Sequence, residues 1–520
     1  MRSPVSVGVV AAGAVLLALA ACSGAEDDTQ ARRVAPLERG GTIRVVLAGD
    51  TDSVDPAVAY TQISWQHGYA TCLKLLNYPD RPAPEGWQLR PEAAAAMPYV
   101  TGGGRTYTFT IRWGLRFSPP SGKPVRAQSF ARAIERALDP RLRSAGARYV
   151  LDIVGAHDYR AGRARKIAGL RVVTNRLLIH LRRPVPDFLH RLAMPFFCAV
   201  PEHTPARESR VPSAGPYYVT ERKPGRSLVL ERNPNYRGKR PQTPARIVYR
   251  VGVPPARGLS EVESGEADYA GDALPDAAHE RLWDEWGPES ASAGDGRQRY
   301  FVHPLLSLFY FRLNATRGLF RDADARRAVN LAVDRTALAN AHGPFAGEPT
   351  DQLLPPAAPA FEDADIYPLD RPDVEHAREL LSGRPATLRL YTCDSDTCAT
   401  TARTLTQNLA ALSVRVRTRA FEREALRRRA ETPGEPWDLL WSGWAADSPH
   451  AAMLEGLLDR TLPPVAGRDY ARADAALSRD AAPIVPYLAA AARDFFSART
   501  GCQLFQPLYG MNLAALCLES

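Results

Sequence analysis

Apolar and polar positions divide the chain into segments of two periods. Thr42 to Ala48 is a β-branched and apolar run broken only by Arg44. Gly40-Gly41 precedes it and Gly49-Asp50-Thr51-Asp52 breaks it, which predicts a buried strand. Ligands in open α/β sheets collect beyond strand ends, so the loop after this strand is a candidate cleft wall. From Thr106 to Arg112 the pattern alternates. Tyr107, Phe109 and Ile111 face one way and the threonines and Arg112 the other, which predicts a half-buried strand after the turn at Gly102-Gly103-Gly104. At Gln128 to Leu138 the period becomes helical, with Phe130, Ala133, Ile134, Ala137 and Leu138 on one face and Pro140 as the stop. Leu170 to Val173 and Leu177 to Leu181 predict a hairpin turning at Thr174-Asn175, and Ser227 to Arg232 and Arg246 to Val251 predict two more strands. Small polar residues over 289–296 predict a surface loop.

A new compositional unit begins near Ser307. Leu308 to Leu313 predicts an apolar strand, and Asp322 and Asp324 then sit where the positive end of a helix dipole favours acids. Ala325, Ala328, Val329 and Ala332 continue at helical spacing. Thr387 to Tyr391, Ala399 to Leu412 and Val414 to Thr418 read as strand, helix, strand, which implies parallel pairing. Trp437 to Trp441 predicts another strand, followed by Gly443-Trp444-Ala445-Ala446-Asp447. The chain ends on strand-like Phe495 to Ala498 and a segment bracketed by Cys502 and Cys517.

At 520 residues the chain is long enough for two or more domains with their own cores. Its 45% hydrophobic and 24% charged residues are globular proportions. The net charge of +9 is spread over 66 basic and 57 acidic residues, with no basic block of the kind that grips nucleic acid. The first 22 residues change the picture. Arg2, the apolar run Val5 to Ala20 and then Leu19-Ala20-Ala21-Cys22 resemble a bacterial lipobox, with Cys22 as the lipidated residue. The apolar run is short for a membrane span. An ordinary secretory signal with a chance cysteine is the alternative. The expectation is a soluble body held to the extracytoplasmic face of a bacterial membrane by acyl chains, with 23–39 as tether.

Six further cysteines, Cys72, Cys198, Cys393, Cys398, Cys502 and Cys517, suggest disulfides outside the cytoplasm. Cys393 and Cys398 close a small loop, Cys502 and Cys517 bracket the last segment, and Cys72 and Cys198 are left, although six cysteines allow fifteen pairings. No CxxC pair or histidine spacing fits zinc. The chain contains no GxSxG, HExxH or P-loop motif, so an enzyme is not expected, nor a metal or cofactor.

An ordered set of motifs carries a resemblance. It runs through Gly40 to Pro56, Thr106 to Arg112 with Gly114 and Phe117, Ala214-Gly215-Pro216-Tyr217-Tyr218-Val219, Leu228 to Tyr236, Glu263 to Tyr269, and Arg326 to Arg335. The chain resembles the family 5 extracellular solute-binding proteins, which deliver peptides, nickel complexes and some sugars to ABC importers. The resemblance covers Gly40 to Leu518. It implies an α/β, two-lobed periplasmic-binding-protein-like fold of the large type, with mixed sheets and a central ligand cleft. The implied division is 40–75, 201–307 and 484–520 for the first lobe, 76–200 for a subdomain inserted in it, and 308–483 for the second lobe. Lobes of this kind close by hinge motion, and an extended peptide would add to exposed strand edges.

The resemblance also implies site residues. Trp444-Ala445-Ala446-Asp447 matches a Trp-x-Ala-Asp motif whose acid pairs with the ligand's α-amino group in peptide-binding relatives. Asp447 is otherwise a helix-capping or turn aspartate before Pro449. Trp444 would be a flat wall or a core residue. Tyr60 and Gln62 fall where relatives contact the ligand backbone, or on a plain loop. One departure stands out: the segment after Asp459 is shorter than the family pattern, which puts the pocket's size in question. The implied function is a monomeric, lipid-anchored receptor that captures an oligopeptide or other small solute and hands it to an ABC permease. The alternative is a receptor-derived lipoprotein that signals or scaffolds at the membrane.

Overall fold

The computed structural model describes residues 37–38, 40–206, 210–271, 274–382, 384–457 and 469–519. Cys22, the linker to 36 and residues 458–468, which include the segment after Asp459 expected to be short, lie outside the described residues. The first strand is β1, Thr42–Leu47, with Ile43, Val45 and Leu47 wholly buried, as its apolar run predicts. A loop leads to helix α1, Gln62–Thr71, whose N-terminus is capped by the Thr61 side chain accepting from the Ser64 N–H. Thr61 is fit for this because its hydroxyl satisfies an otherwise orphan donor of the first turn.

The chain then builds a separate four-stranded antiparallel sheet. It contains β2, Tyr99–Thr101, β3, Thr106–Thr110, and, after helix α2, Ala127–Leu138, the hairpin β4, Leu170–Val173, and β5, Arg176–His180. The order is β2-β3-β5-β4. Thr174 turns the hairpin with a positive φ of 55°, and Asn175 anchors it by donating from its amide to the Ile111 carbonyl at 2.8 Å. Helix α2 buries Phe130, Ile134, Ala137 and Leu138 against this sheet's core, the face its spacing marks out.

The first sheet is completed by β6, Tyr217–Lys223, β7, Ser227–Arg232, β8, Arg246–Val251, and β9, Tyr269–Ala270. Its order is β9-β1-β8-β7-β6, with β1 lying between β9 and β8 and parallel to both. Buried Asp268, just before β9, accepts from Arg44 Nε at 3.1 Å and from Arg499 Nε at 2.6 Å. Burial alone would push this carboxyl up, but the bonds from Arg499 and Arg44 outweigh it and hold it below the ordinary range.

The second large sheet contains β10, Tyr300–Leu313, and, after helix α3, Ala323–Ala332, the strands β11, Gly347–Glu348, and β12, Ala386–Cys393. Helix α4, Asp396–Ala410, leads to β13, Val414–Phe421, followed by β14, Leu439–Ala445, and β15, Ile484–Phe495. The order is β11-β15-β10-β14-β12-β13. β12 and β13 pair in parallel around α4, as the strand–helix–strand reading requires.

β10 and β15 form a long antiparallel ribbon from Tyr300↔Phe495 to Arg312↔Ile484. Its register slips between Pro304 and Leu308 and again between Phe309 and Tyr310. Tyr300 and Phe495 pack with Val46 and Leu259 at one end, while Phe311, Val485 and Tyr487 belong to the core around α3 and α4 at the other. One pair of strands therefore serves both halves of the molecule, with an irregular register between them.

Several sequence expectations are corrected here. β10 begins eight residues before Leu308, because Pro304 interrupts the pattern without ending the strand. The last long strand is Ile484–Phe495 rather than Phe495 to Ala498. Its Ala489–Ala492 run has poor intrinsic β-propensity, and pairing with β10 overrides that. The strand expected at Trp437 begins at Leu439, and the loop at 289–296 contains a helical turn, Ala291–Gly294, capped by Ser290. Disulfides join Cys72 to Cys198, Cys393 to Cys398 and Cys502 to Cys517, the one of fifteen pairings that chain order suggests.

Candidate functional site

Three distant stretches meet at the Asp447 carboxylate. The first is the loop between β1 and α1. Asp52 shapes it, accepting from the Tyr60 N–H at 2.8 Å and the Thr61 hydroxyl at 3.0 Å. The Trp65 indole donates to the Ala59 carbonyl at 3.0 Å. The Tyr60 ring is thereby set over Trp65 and Phe196, with centroids 6.0 and 5.8 Å away, and remains 43% exposed.

The second stretch is a two-turn 3-10 helix, Ala145–Val150, between α2 and β4. The Ser144 hydroxyl caps it by accepting from the Gly146 N–H at 3.0 Å. Gly146 lies against the Phe196 ring so closely that an added Cβ would sit 2.6 Å from Cγ, so only glycine lets the turn approach this far. The turn presents Arg148 and Tyr149, and Tyr149 stacks on Phe196 at 6.1 Å. The Cys72–Cys198 bond ties the C-terminus of α1 to the segment that follows Phe196 and Phe197.

The third stretch is β14 and the residues after it. Between Ser307 and Leu313 this strand is fully paired with β10. On its other side only Leu439 and Leu440 pair with β12. From Ser442 to Ala445 that second edge pairs with no strand among the described residues, and Asp447 stands at its end. An unpaired edge of this kind offers backbone donors and acceptors to an extended chain.

Among the described residues the carboxylate is bonded on one oxygen only. Asp447 Oδ2 accepts from the Tyr60 hydroxyl at 3.1 Å, from Arg148 Nη2 at 2.9 Å and from the Tyr149 hydroxyl. Arg148 Nη2 also donates to the Tyr60 oxygen at 2.6 Å. Oδ1 has no hydrogen bond to any described residue. Burial and the Asp447 charge push the Tyr60 hydroxyl up to about 12, and the same causes in the same order raise Tyr149 further. Burial pulls the Arg148 guanidinium down, but the neighbouring Tyr149, Tyr60 and Asp447 outweigh it and hold it above its usual value. Both phenols therefore remain donors, and Arg148 a cation, at any physiological pH. The arrangement can receive a further donor at Oδ1. It contains no nucleophile–base pair.

Of the four residues singled out in the sequence, Tyr60 and Asp447 are thus brought together. Trp444 lies on β14 opposite Leu308, its carbonyl accepting from the Ser307 hydroxyl at 2.8 Å and its half-buried ring packed on the large apolar cluster. Gln62 is exposed on the first turn of α1 and lines a different cavity. Arg148 and Tyr149 were not anticipated. The signal was slight: a Ser-x-Gly turn between a helix and a hairpin, with nothing in its periodicity to aim it at a residue 299 positions away. Among the described residues no cluster of three or more His, Cys, Asp or Glu could hold a metal, and no helix is long and apolar enough to cross a membrane.

Residues 88–458 match the family described as bacterial extracellular solute-binding proteins, family 5 Middle. The chain is 28% identical over 289 residues to the oligopeptide-binding protein OppA of Bacillus subtilis, covering 54% of this chain and 51% of that one. It is 26% identical over 291 residues to the probable deoxycholate-binding periplasmic protein YgiS of Escherichia coli, covering 52% and 50%. The matches span about half the length of these curated relatives. Among solved structures, the clavulanic acid biosynthesis oligopeptide binding protein 2 superposes with a TM-score of 0.80 at 24% identity, over 94% of this chain and 98% of that one. Haemophilus influenzae OppA in complex with RPPGFSPFR superposes with a TM-score of 0.70 at 19% identity, over 93% and 100%. The chain belongs to the family 5 extracellular solute-binding proteins, with their two-lobed fold, and is a binding protein rather than an enzyme.

Proposed function

We propose that this protein captures an oligopeptide between its two lobes and delivers it to an ABC importer, while Cys22 holds it to the outer face of the cell membrane through acyl chains. The lobes would divide as the sequence implies, with 76–200 inserted in the first, and the β10–β15 ribbon would pass between them. One observation carries the ligand class: among the described residues, the β14 edge over Ser442–Ala445 has no strand partner and runs into a carboxylate with one oxygen free of hydrogen bonds. An extended peptide adding to that edge would bring its α-ammonium to Oδ1, where a charge-assisted hydrogen bond forms. The names of the Bacillus subtilis relative and of the Haemophilus influenzae complex support the same class. The name of the Escherichia coli relative, a probable deoxycholate binder, supports the wider capacity of such a cleft for other solutes.

Titration calorimetry with a series of tri- to pentapeptides and their N-acetylated forms tests this reading. Asp447→Asn should weaken free peptides by tenfold or more and leave acetylated ones within about threefold. Equal losses for both sets would remove the ammonium role from Asp447. The Arg148 ion pair favours a second reading, in which the cleft has turned to signalling or scaffolding and holds its own cation. Thermal-shift screening separates the two. A ligand at about a hundred times its Kd stabilises by about 2.7 kcal/mol, and no shift with any peptide, bile acid, sugar or metal chelate would favour the second.

A further inference from the structure

The six-stranded sheet ends on β13, Val414–Phe421, which pairs with β12 and with no other strand among the described residues. Its outer edge leaves backbone N–H and C=O groups open to a further strand. The two faces of this strand differ. Arg415, Arg417 and Arg419 stand on one face, all three exposed. Arg389, also exposed, lies directly opposite Arg417 on β12 and adds a fourth cation to that face. None of the four forms an ion pair with a described residue. Nearby carboxylates are engaged elsewhere: Glu424 and Glu431 pair with Arg427, and Glu435 with Arg429. The Arg419 guanidinium lies over the Phe421 ring, 5.0 Å from its centroid, which keeps it on this face.

On the other face Thr418 and Ala420 line a groove of about 460 Å³ together with Ala402 and Thr406 of α4. Open backbone, a row of cations and a groove thus flank one strand edge. An extended chain repeats every two residues, about 6.6 Å at about 3.3 Å each, and the arginines follow the same period. A strand added here would set alternate side chains over the arginines and the others in the groove beside α4. Carboxylates in the first set form charge-assisted bonds to the guanidinium groups. They also relieve the repulsion between Arg389 and Arg417, since like charges directly opposite on neighbouring strands are destabilising. Short apolar side chains in the second set fill the groove. Cations on an edge deter neutral and basic strands from pairing, which leaves an acidic strand favoured. A lipid headgroup would use the charge but neither the edge nor the groove.

We propose that the β13 edge is a docking site for an extended acidic segment of a partner protein, one that alternates acidic and small apolar residues and adds to the sheet as a seventh strand. The surface stands apart from the peptide reading, since it uses neither Asp447 nor the β14 edge.

The probe is a heptapeptide of alternating glutamate and valine, N-acetylated and carrying fluorescein at its C-terminus, titrated with the full chain by fluorescence anisotropy. Acetylation removes the ammonium group that the cleft would take. The expected result is saturable one-to-one binding that weakens about tenfold or more in Arg415→Glu and in Arg417→Glu and is unchanged in Asp447→Asn. Both arginines are exposed, so these variants should fold, and far-ultraviolet circular dichroism checks that they do. A heptapeptide of the same composition, with its four glutamates first and its three valines last, gives a variant-free readout and should bind about tenfold more weakly. Four results would overturn the proposal. They are no binding up to about 1 mM, equal binding of the two peptides, binding kept in Arg417→Glu, and binding lost in Asp447→Asn. Co-sedimentation with phosphatidylglycerol vesicles that Arg417→Glu abolishes, in the absence of peptide binding, would assign the face to a membrane surface instead.

Discussion

Replacing Asp494 by asparagine should stabilise the protein above pH 6 and do nothing of the kind at pH 4. Burial moves this carboxyl from its ordinary 3.8 up to about 6, against the Tyr269 hydroxyl bond that pulls it down. The folded state thus holds the proton more tightly than the unfolded state does. Below pH 4 the group is protonated in both states and costs nothing. As pH rises, the unfolded chain ionises first, so the native state loses stability through the window from about 4 to about 6 and stays penalised above it. A difference of about two pH units is worth about 3 kcal/mol at 1.36 kcal/mol each, as an order of magnitude. Asparagine never ionises and keeps an oxygen for Tyr269. Its amide nitrogen stands in for Oδ2, which has no described partner to lose. Urea unfolding at pH 4, 6 and 8 on both proteins measures the difference. The variant should gain about 2–3 kcal/mol at pH 8, less at pH 6, and none at pH 4. A gain independent of pH, or a loss at pH 8, would refute the reasoning.

Two further outcomes follow from the ion pairs. Arg136 is fully buried and donates to both oxygens of Asp55, at 3.0 and 2.6 Å, so Arg136→Met should cost about 3–5 kcal/mol by stranding that carboxylate. Asp55→Asn in the same chain should recover part of the loss, and chemical denaturation of the two variants checks both. Arg148 is 56% exposed, so Arg148→Met should change stability by less than about 1 kcal/mol. It should also tighten binding of free-amine peptides a few-fold by calorimetry, because Asp447 loses an internal competitor; weaker binding would mean that Arg148 holds the ligand.

Local pattern was enough for most elements. The limits Ser227–Arg232 and Arg246–Val251 coincide with β7 and β8, because each centres on a short apolar run, Leu228-Val229-Leu230 and Ile247-Val248-Tyr249, with polar residues on either side. The Asp322 acid near a helix start proved to be a cap, its side chain accepting from the Asp324 N–H. β15 was missed for a physical reason: Ala489–Ala492 carries no strand preference, and only its partner β10 makes it one. The candidate site was half legible. Asp447 and Tyr60 sit in motifs that a family resemblance can mark. Arg148 and Tyr149 are aimed by a glycine that clears Phe196 and by a disulfide joining residues 126 apart, and neither relation is written in any local period.

The turn Ala145–Val150 touches the Asp447 carboxylate but belongs to neither of the two large sheets. Selectivity and mechanics can therefore drift independently. Six residues could be rewritten, changing what surrounds that carboxylate, while the β10–β15 ribbon keeps every pairing it has. A graft of this turn between relatives is the smallest exchange that would carry a preference with it.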